Sequence, residues 1–243
     1  MLLMSIGLGS LKQLLRHLGL DVQFTKNTLS AARKRVFEEK QTKIVVDVGA
    51  NRGQYGSELR AQGFQGKIVS FEPIPACIAL LKDKSQRDPN WQVEPFAVGS
   101  QAERRSFFVS HNLASSSFLR VLELSTKAAA QTSHKETIEV EQTTLNAYPK
   151  LFRAHGPVHL KLDIQGFELE ALKGADEILN NVESIESELS FAPLYEGQAL
   201  AHELFEHLYQ RGFRVSWIER GFASREGHML QADALFIRNG PNP

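Results

Sequence analysis

Residues 43–55 read KIVVDVGANRGQY, an apolar run that ends in a turn bracketed by two glycines. The run from Ile44 to Val48 has the length of one strand, and its β-branched residues favour that conformation. Gly49 and Gly53 then allow the chain to turn sharply into a helix. This stretch therefore predicts a buried strand that passes directly into a helix, the repeating unit of a doubly wound α/β sheet.

The alternation of strands and helices continues along the rest of the chain. Six further strands are predicted over 67–71, 91–98, 158–164, 182–189, 213–218 and 232–237. Apolar residues at helical spacing predict helices over 54–62, 75–85, 166–180 and 199–210, the last one stopping near Gly212. Continuous apolar strands separated by helices indicate a mostly parallel sheet covered on both faces. Only residues 219–231 join the last two strands, without a helical pattern, so that pair is predicted to be antiparallel.

Two segments lie outside this alternation. Residues 103–145 contain two predicted strands, 104–109 and 137–143, and are interpreted as a small β insertion that shapes a substrate pocket. Residues 1–40 are interpreted as an N-terminal helical extension, with 41–243 as the main domain. Within the extension, Leu11, Leu14, Leu15 and Leu18 recur at helical spacing. Such a helix packs on its own domain, or else on a membrane surface or a partner.

The composition narrows the function classes. The chain has 243 residues with 28 basic and 28 acidic side chains, so its formal net charge is zero and bulk nucleic-acid binding is disfavoured. The single cysteine, Cys77, excludes an internal disulfide framework and a zinc site with several cysteines. No apolar run is long enough to span a membrane. A cytoplasmic protein is therefore expected.

Glu72 gives the glycine turn a functional interpretation. It ends the second predicted strand, at the distance from Gly49 where dinucleotide-binding folds place an acidic residue on a ribose diol. The turn itself could hold a carboxylate or phosphate at the start of the helix, and Gly49 and Gly53 would let the backbone approach that ligand closely. A purely structural turn and a solvated strand-end carboxylate are the alternatives. The glycine turn and Glu72 together predict a nucleoside cofactor.

Asp47 favours one cofactor among these. A carboxylate at the end of the first strand would repel a pyrophosphate but would attract the ammonium or sulfonium of S-adenosylmethionine. Asn51 and nearby backbone amides could then hold the amino-acid carboxylate of that cofactor. The alternative role for Asp47 is to cap the amides of its own loop.

These motifs together resemble the FkbM family of S-adenosylmethionine-dependent methyltransferases. The resemblance rests on VVDVGANRGQYGSELR, IVSFEPIPACIALL, PFAVGS and VHLKLDIQGFELEALKGADEIL, in that order, and covers roughly residues 43–238. It implies a class I methyltransferase fold of seven strands with the last one antiparallel, and O-methylation of sugars or natural-product hydroxyls. It also implies cofactor contacts at Gln54, Tyr55, Pro73 and Ala97. The chain departs from the family at Thr144-Leu145-Asn146, where an acidic residue often follows the leucine.

Three carboxylates are candidates for the chemistry. Asp163 ends the fourth strand at the edge where such sheets bind ligands, and is the leading candidate to orient or deprotonate an acceptor hydroxyl. Glu168 follows it, and both could instead cap or charge-stabilise the next helix. Glu186 and Glu188 point to one face of the fifth strand, with Glu188 nearer its end. These two and Asp163 could bind a divalent metal, although no metal is expected.

Other functions remain as alternatives. A nucleic-acid methyltransferase that acts on an adenine nitrogen typically carries an acidic-or-Asn-Pro-Pro-aromatic tetrad after the fourth strand, where this chain has DIQG. A nicotinamide dehydrogenase and a non-catalytic S-adenosylmethionine-binding module are the others. His159 lies on an apolar strand and is expected in the core, while Ser115–Ser117 could contact substrate. The acceptor is expected to be a saccharide or another small molecule, with no nucleic-acid partner.

Overall fold

The computed structural model describes Leu15, His17 and residues 25–153 and 156–239. Leu15 and His17 are helical, whereas Leu11, Leu14 and Leu18 of the predicted N-terminal helix lie outside the described residues. None of the helices in the described ranges is long and apolar enough to cross a bilayer.

Seven strands form the main sheet, in the order β3-β2-β1-β7-β8-β10-β9. Their bounds are β1 Ile44–Val48, β2 Lys67–Phe71, β3 Trp91–Glu94, β7 Val158–Leu162, β8 Val182–Ser190, β9 Phe213–Arg220 and β10 Gln231–Arg238. Strand β1 pairs in parallel with β2 and β7, while β10 runs antiparallel to both β8 and β9. The predicted doubly wound sheet with an antiparallel last strand is confirmed.

Seven α-helices are defined within the described residues. They are α1 Leu29–Lys40, α2 Gln54–Ala61, α3 Pro75–Gln86, α4 Glu123–Ala128, α5 Pro149–Arg153, α6 Glu168–Lys173 and α7 Ala201–Gln210. The helix predicted over 166–180 stops at Lys173. Its C-cap, Gly174, packs so closely on the carbonyl oxygen of Gly99 that a Cβ there would lie 2.0 Å from that oxygen.

The second sheet contains β4 Ala97–Val98, β5 Glu103–Ser110 and β6 His134–Thr143, in the order β4-β6-β5. The single strand predicted over 91–98 is therefore wrong, because it divides into β3 and β4, which belong to different sheets. Pro95 lies between them and has no N–H to donate to a strand ladder. The break turns β4 away and lets Phe96 and Ala97 line the cavity described below.

The core explains why β1 determines the fold. All five residues of β1 are buried, so the strand is covered on both faces. Its neighbours β2 and β7 are almost equally buried, as expected for central parallel strands. Helix α1 packs through Leu29, Ala32 and Val36 on Leu235 and Ile237 of β10. This contact fixes the start of α1 at the carboxyl edge of the sheet, where the ligand crevice of such folds lies.

Candidate active site

A cavity of about 490 Å³ opens at the carboxyl ends of the central strands. Its walls come from the turn after β1, the ends of β2 and β7, the β3–β4 connection, α1 and the far strands β9 and β10. Its volume is in the usual range for a small-molecule site. Most of the cofactor residues expected from the sequence line it: Gly49, Asn51, Gln54, Tyr55, Glu72, Pro73 and Ala97.

The glycines of the turn serve the packing of the fold rather than the approach of a ligand. Gly49 has φ +81°, and a Cβ there would lie 2.0 Å from the carbonyl oxygen of Asp163. Gly53 has φ +77°, and its Cβ would meet Leu81 at 2.8 Å. The expectation that these glycines clear space for a ligand is therefore wrong about the reason, since each missing Cβ faces protein. Gly53 is also absent from the cavity wall.

The backbone amides of this turn are already engaged, which corrects a second expectation. Gly49 and Ala50 donate to the carbonyl oxygen of Phe71, and Asn51 donates to the carboxylate of Glu72. Anion binding therefore falls to the side-chain amide of Asn51 and to the first turn of α2. There the N–H groups of Gln54 and Tyr55 lack intrahelical partners, as at the start of any helix.

Glu72 is held rigidly at the edge of the cavity. Its two carboxylate oxygens accept hydrogen bonds from the N–H groups of Asn51 and Ile74, both at 2.8 Å. Burial raises the pKa of Glu72 to about 7, although these two hydrogen bonds lower it in part. Each oxygen of a carboxylate has a further lone pair. Glu72 therefore retains acceptor capacity toward the cavity.

Asp47 is fully buried behind the cavity wall. Neither of its oxygens has a hydrogen-bond partner among the residues that the structure describes. The nearest cation is the Nζ of Lys161, 3.6 Å from Oδ1. Burial raises the pKa of Asp47, and Lys161 opposes that change. Because Asp47 is fully buried and does not line the cavity, a bound ligand would be attracted by its charge but would not contact its oxygens.

Lys161 is a central residue that sequence reasoning missed. It pairs in register with Asp47 on one side and Glu186 on the other, so the three side chains share one face of the sheet. Its Nζ lies 3.2 Å from Oδ2 of Asp163 and 5.4 Å from the ring centroid of Tyr55. Burial alone would lower the pKa of Lys161. The carboxylates of Asp163 and Asp47 raise this pKa by more than burial lowers it, so the net shift is upward. Lys161 is therefore a fixed positive charge in the cavity floor.

Asp163 lies on the cavity wall and is partly exposed. Lys161 donates to one of its oxygens, and Nε2 of Gln165 donates to the other at 2.9 Å. Each oxygen keeps a lone pair for an acceptor hydroxyl. Of the three carboxylates proposed for catalysis from the sequence, Asp163 is the one in the cavity wall.

Glu168 and Glu188 are not among the residues that line the cavity. Glu168 is buried and accepts from the N–H groups of Ile164 and Gly166, so it closes its own loop. Burial raises the pKa of Glu168 to about 7. Glu188 accepts from the side-chain amides of Gln165 and Gln231, at 2.9 and 2.6 Å. Their predicted catalytic contact with substrate receives no support from these positions.

Arg33 of α1 is the second residue that the sequence did not reveal. It is buried and donates to both oxygens of Glu186, at 3.0 and 3.1 Å, and to Glu58. Its guanidinium stacks 4.6 Å from the ring centroid of Tyr55. Arg33 begins the basic run Arg33-Lys34-Arg35, and such a run usually indicates a solvated face, so no sequence signal distinguished it. His159 is fully buried and bonds Tyr55 and Ser184, the core position expected for it.

Metal binding was the alternative use of these carboxylates. Within the described part of the chain, no three histidine, cysteine, aspartate or glutamate side chains are arranged to hold a metal ion. Glu186 is instead occupied by Arg33, and Glu188 by two glutamine amides.

Comparison with known proteins identifies the family. Residues 47–215 match the model of the methyltransferase FkbM domain, which is more than half of the chain. The chain belongs to the FkbM methyltransferase family. This FkbM protein thus has the seven-stranded sheet with an antiparallel last strand that the sequence resemblance implied.

Individual relatives are distant. Methyltransferase sdnD of Sordaria araneosa is 28% identical over 157 residues, which are 55% of this chain and 61% of that protein. The chain thus matches less than two thirds of the length of this relative. Magnesium protoporphyrin IX methyltransferase (ChlM) from Synechocystis PCC 6803, solved with bound SAM, is 10% identical, with a TM-score of 0.44 over 96% of this chain and 92% of that chain. The methyltransferase domain of bacterial CtHen1 is 12% identical, with a TM-score of 0.47 over 86% and 96%.

The residues at the β1-turn end of the cavity fit S-adenosylmethionine, the cofactor that the sequence resemblance implies. Glu72 keeps acceptor capacity for ribose hydroxyls, and Asp47 adds negative charge behind the wall, where it would attract an ammonium or sulfonium without touching it. Asn51 and the first turn of α2 supply donors for a carboxylate. Ile74, Phe96 and Ala97 add apolar wall on which an adenine ring can lie.

Proposed function

We propose that this FkbM protein transfers the methyl group to a hydroxyl of a saccharide or another small natural-product acceptor. The observation that supports this most is the position of Asp163. Its carboxylate lies in the cavity wall beside the β1 turn, held by Lys161 and Gln165, with a lone pair left on each oxygen. An alcohol is a poor nucleophile, so a carboxylate that orients it and takes its proton is what the reaction needs.

The roles of the remaining residues follow from their contacts. Glu72 binds the ribose, and Asp47 attracts the positive end of the amino-acid portion. Asn51, with the N–H groups of Gln54 and Tyr55, binds the carboxylate. Pro73 and Ala97 contact the nucleoside. When bound, S-adenosylmethionine supplies an electrophilic methyl group.

The chain itself prepares the acceptor oxygen. Asp163 accepts a hydrogen bond from the acceptor hydroxyl and receives its proton as the new O–C bond forms. Lys161 holds that carboxylate in place through a 3.2 Å contact. Positioning of this kind contributes a large part of the rate enhancement in bimolecular transfers.

A small acceptor is favoured over a nucleic acid by the cavity charge. Six carboxylate residues but only two cationic residues, Arg33 and Lys161, are among the described residues that line it. Both cations are already paired with carboxylates. A phosphate backbone would meet net negative charge there.

One buried free cysteine, Cys77, agrees with a cytoplasmic location.

The test is methyl transfer from labelled cofactor into fractionated glycans and small molecules, with products identified by mass spectrometry. Label attached to oxygen of a saccharide or small alcohol is the expected result. Label in RNA or DNA fractions alone would contradict the proposal. Cofactor binding without transfer to any fraction would favour a non-catalytic binding module.

A further inference from the structure

The two ends of the cavity differ in whether their residues lie within the range that matches the family model. The end at the β1 turn, with Glu72 and Asp163, lies within the matched residues 47–215. At the opposite end, Leu29, Ser30 and Arg33 precede that match, while Glu219 and Asp233 follow it. The wall that an acceptor would meet is therefore built partly from this chain's own flanking segments.

Carboxylates stand abreast on four neighbouring strands at this end. Asp233 of β10 pairs in register with Glu188 of β8 and with Glu219 of β9. Asp163 follows Leu162, which pairs with Ser187, so it stands beside Glu188. Gln165 bridges that pair, donating to both carboxylates at 2.9 Å. Residues opposite each other on paired strands project to one face, so all four carboxylates face the same side.

Three members of this row have hydrogen-bond donors and one does not. Glu188 has Gln165 and Gln231, Asp163 has Lys161 and Gln165, and Glu219 accepts the backbone N–H of Leu29. The side chain of Asp233 makes no hydrogen bond or ion pair with any residue in the described ranges, although it lines the cavity. Burial, followed by the charge of Asp163, raises the pKa of Asp233 to about 6. A positive ligand group beside Asp233 would relieve this repulsion.

The two cations of the cavity are committed elsewhere. Arg33 is bound by Glu186 and Glu58, and Lys161 lies between Asp163 and Asp47. A metal ion does not fit the row either, since no suitable group of ligands occurs among the described residues. A larger organic cation with several donors matches the spacing of the row.

We propose that the far end of the cavity recognises a protonated amine on the acceptor, with Asp233 as its ion-pair partner and Glu219 beside it. This inference rests on the proposed function, and it narrows the acceptor to a polyhydroxylated amine such as an amino sugar or an aminocyclitol. Asp233 is separated from Asp163 by two strand spacings, about 10 Å between backbones. The amine and the methylated hydroxyl therefore sit on different parts of the acceptor, and the amine is not itself the methylated group.

The experiment compares an amine with its neutral derivative on the full chain. The probes are neamine, which joins an amino sugar to an aminocyclitol, and fully N-acetylated neamine. Binding of each is measured by calorimetry in the presence of S-adenosylhomocysteine, for the wild type, Asp233→Asn and the matched surface control Asp83→Asn. Asp83 is exposed on α3, away from the cavity.

Wild type and Asp83→Asn should bind neamine at least about tenfold more tightly than its N-acetylated form, the scale of a hydrogen bond to a charged group. Asp233→Asn should lose this preference while its affinity for S-adenosylhomocysteine stays unchanged. Absence of neamine binding by the wild type, equal binding of the two probes, or an unchanged preference in Asp233→Asn would overturn the inference. Loss of neamine binding on adding EDTA would overturn it in favour of a metal.

The results distinguish failure of the amine site from failure of the proposed O-methylation. Transfer of label to neutral saccharides with no preference for amines would leave O-methylation standing and remove the amine site. Selective binding of neamine through Asp233, with methyl appearing only on nitrogen, would retain the amine site and contradict O-methylation.

Discussion

The ammonium of Lys161 lies 3.2 Å from Oδ2 of Asp163, which stands two residues further along the chain at the strand end. The same nitrogen lies 3.6 Å from Oδ1 of the fully buried Asp47 on the neighbouring strand. Lys161 thus links the carboxylate assigned to the cofactor with the one assigned to the acceptor. Removing its charge would leave both without their principal counter-charge.

We therefore predict that Lys161→Met is destabilised by about 3–5 kcal/mol, the usual cost of breaking a buried ion pair from one side. Adding Asp47→Asn to Lys161→Met should restore part of that loss, because the unpaired buried charge is then removed. Urea unfolding of the single and double variants measures both effects. Lys82→Met on the exposed face of α3 is the control and should be nearly neutral. A Lys161→Met variant as stable as this control would contradict the prediction.

A second prediction concerns Gly49, where the structure changes the expected phenotype. Gly49→Ala should be destabilised by more than about 4 kcal/mol, because its Cβ would overlap the Asp163 carbonyl oxygen at 2.0 Å and φ is +81°. Gly63→Ala is a matched control, with φ +90° and no atom within 4 Å of the added Cβ, and should lose only about 1 kcal/mol. Urea midpoints of the two variants give the comparison. Equal stability of the two variants would contradict the packing role of Gly49.

Several of these features were predictable from the sequence and others were not. The buried run of β1 and the strand-end position of Glu72 follow from local patterns, so the fold and the ribose-binding candidate were found. Lys161 and Arg33 were missed because their roles depend on register between strands and on packing of α1 across the sheet. Pro95 was a local signal that the strand predicted over 91–98 divides into β3 and β4. The apolar residues on both sides of it led to the prediction of one continuous strand. Long-range contacts, rather than residue types, therefore account for most of what the sequence did not reveal.

A third prediction follows from the raised pKa of Glu72. With a pKa of about 7, this carboxyl is largely protonated at pH 6 and largely ionised at pH 8. The ionised form accepts hydrogen bonds from ribose hydroxyls more strongly, so affinity should rise through this interval by about tenfold. The probe is 5′-methylthioadenosine, which has the ribose but no titrating amino-acid group. Calorimetry at pH 6, 7 and 8 measures the rise.

Glu72→Gln is the control for that titration. Its amide cannot ionise, so its affinity for 5′-methylthioadenosine should be weaker at pH 8 and nearly constant with pH. The loss at pH 8 should be about 1.5–3 kcal/mol, the scale of a hydrogen bond to a charged group. A wild-type affinity that does not change between pH 6 and 8, or a variant that keeps the same pH dependence, would remove Glu72 from the ribose site.

The last prediction concerns Asp163, whose contacts distinguish a catalytic from a structural role. Its oxygens bond Lys161 and Gln165, whereas the amides of the following loop are capped by Glu168. Asp163→Asn should therefore leave the fold and the affinity for S-adenosylmethionine nearly intact. Turnover per folded molecule should fall by about 10²–10⁴, the range for a lost acid–base group, since the amide cannot take the acceptor proton. Asp83→Asn, the surface control, should keep full turnover. Because no described cluster holds a metal, EDTA should change neither protein. Normal turnover in Asp163→Asn would transfer the proton-accepting role to another carboxylate of the cavity.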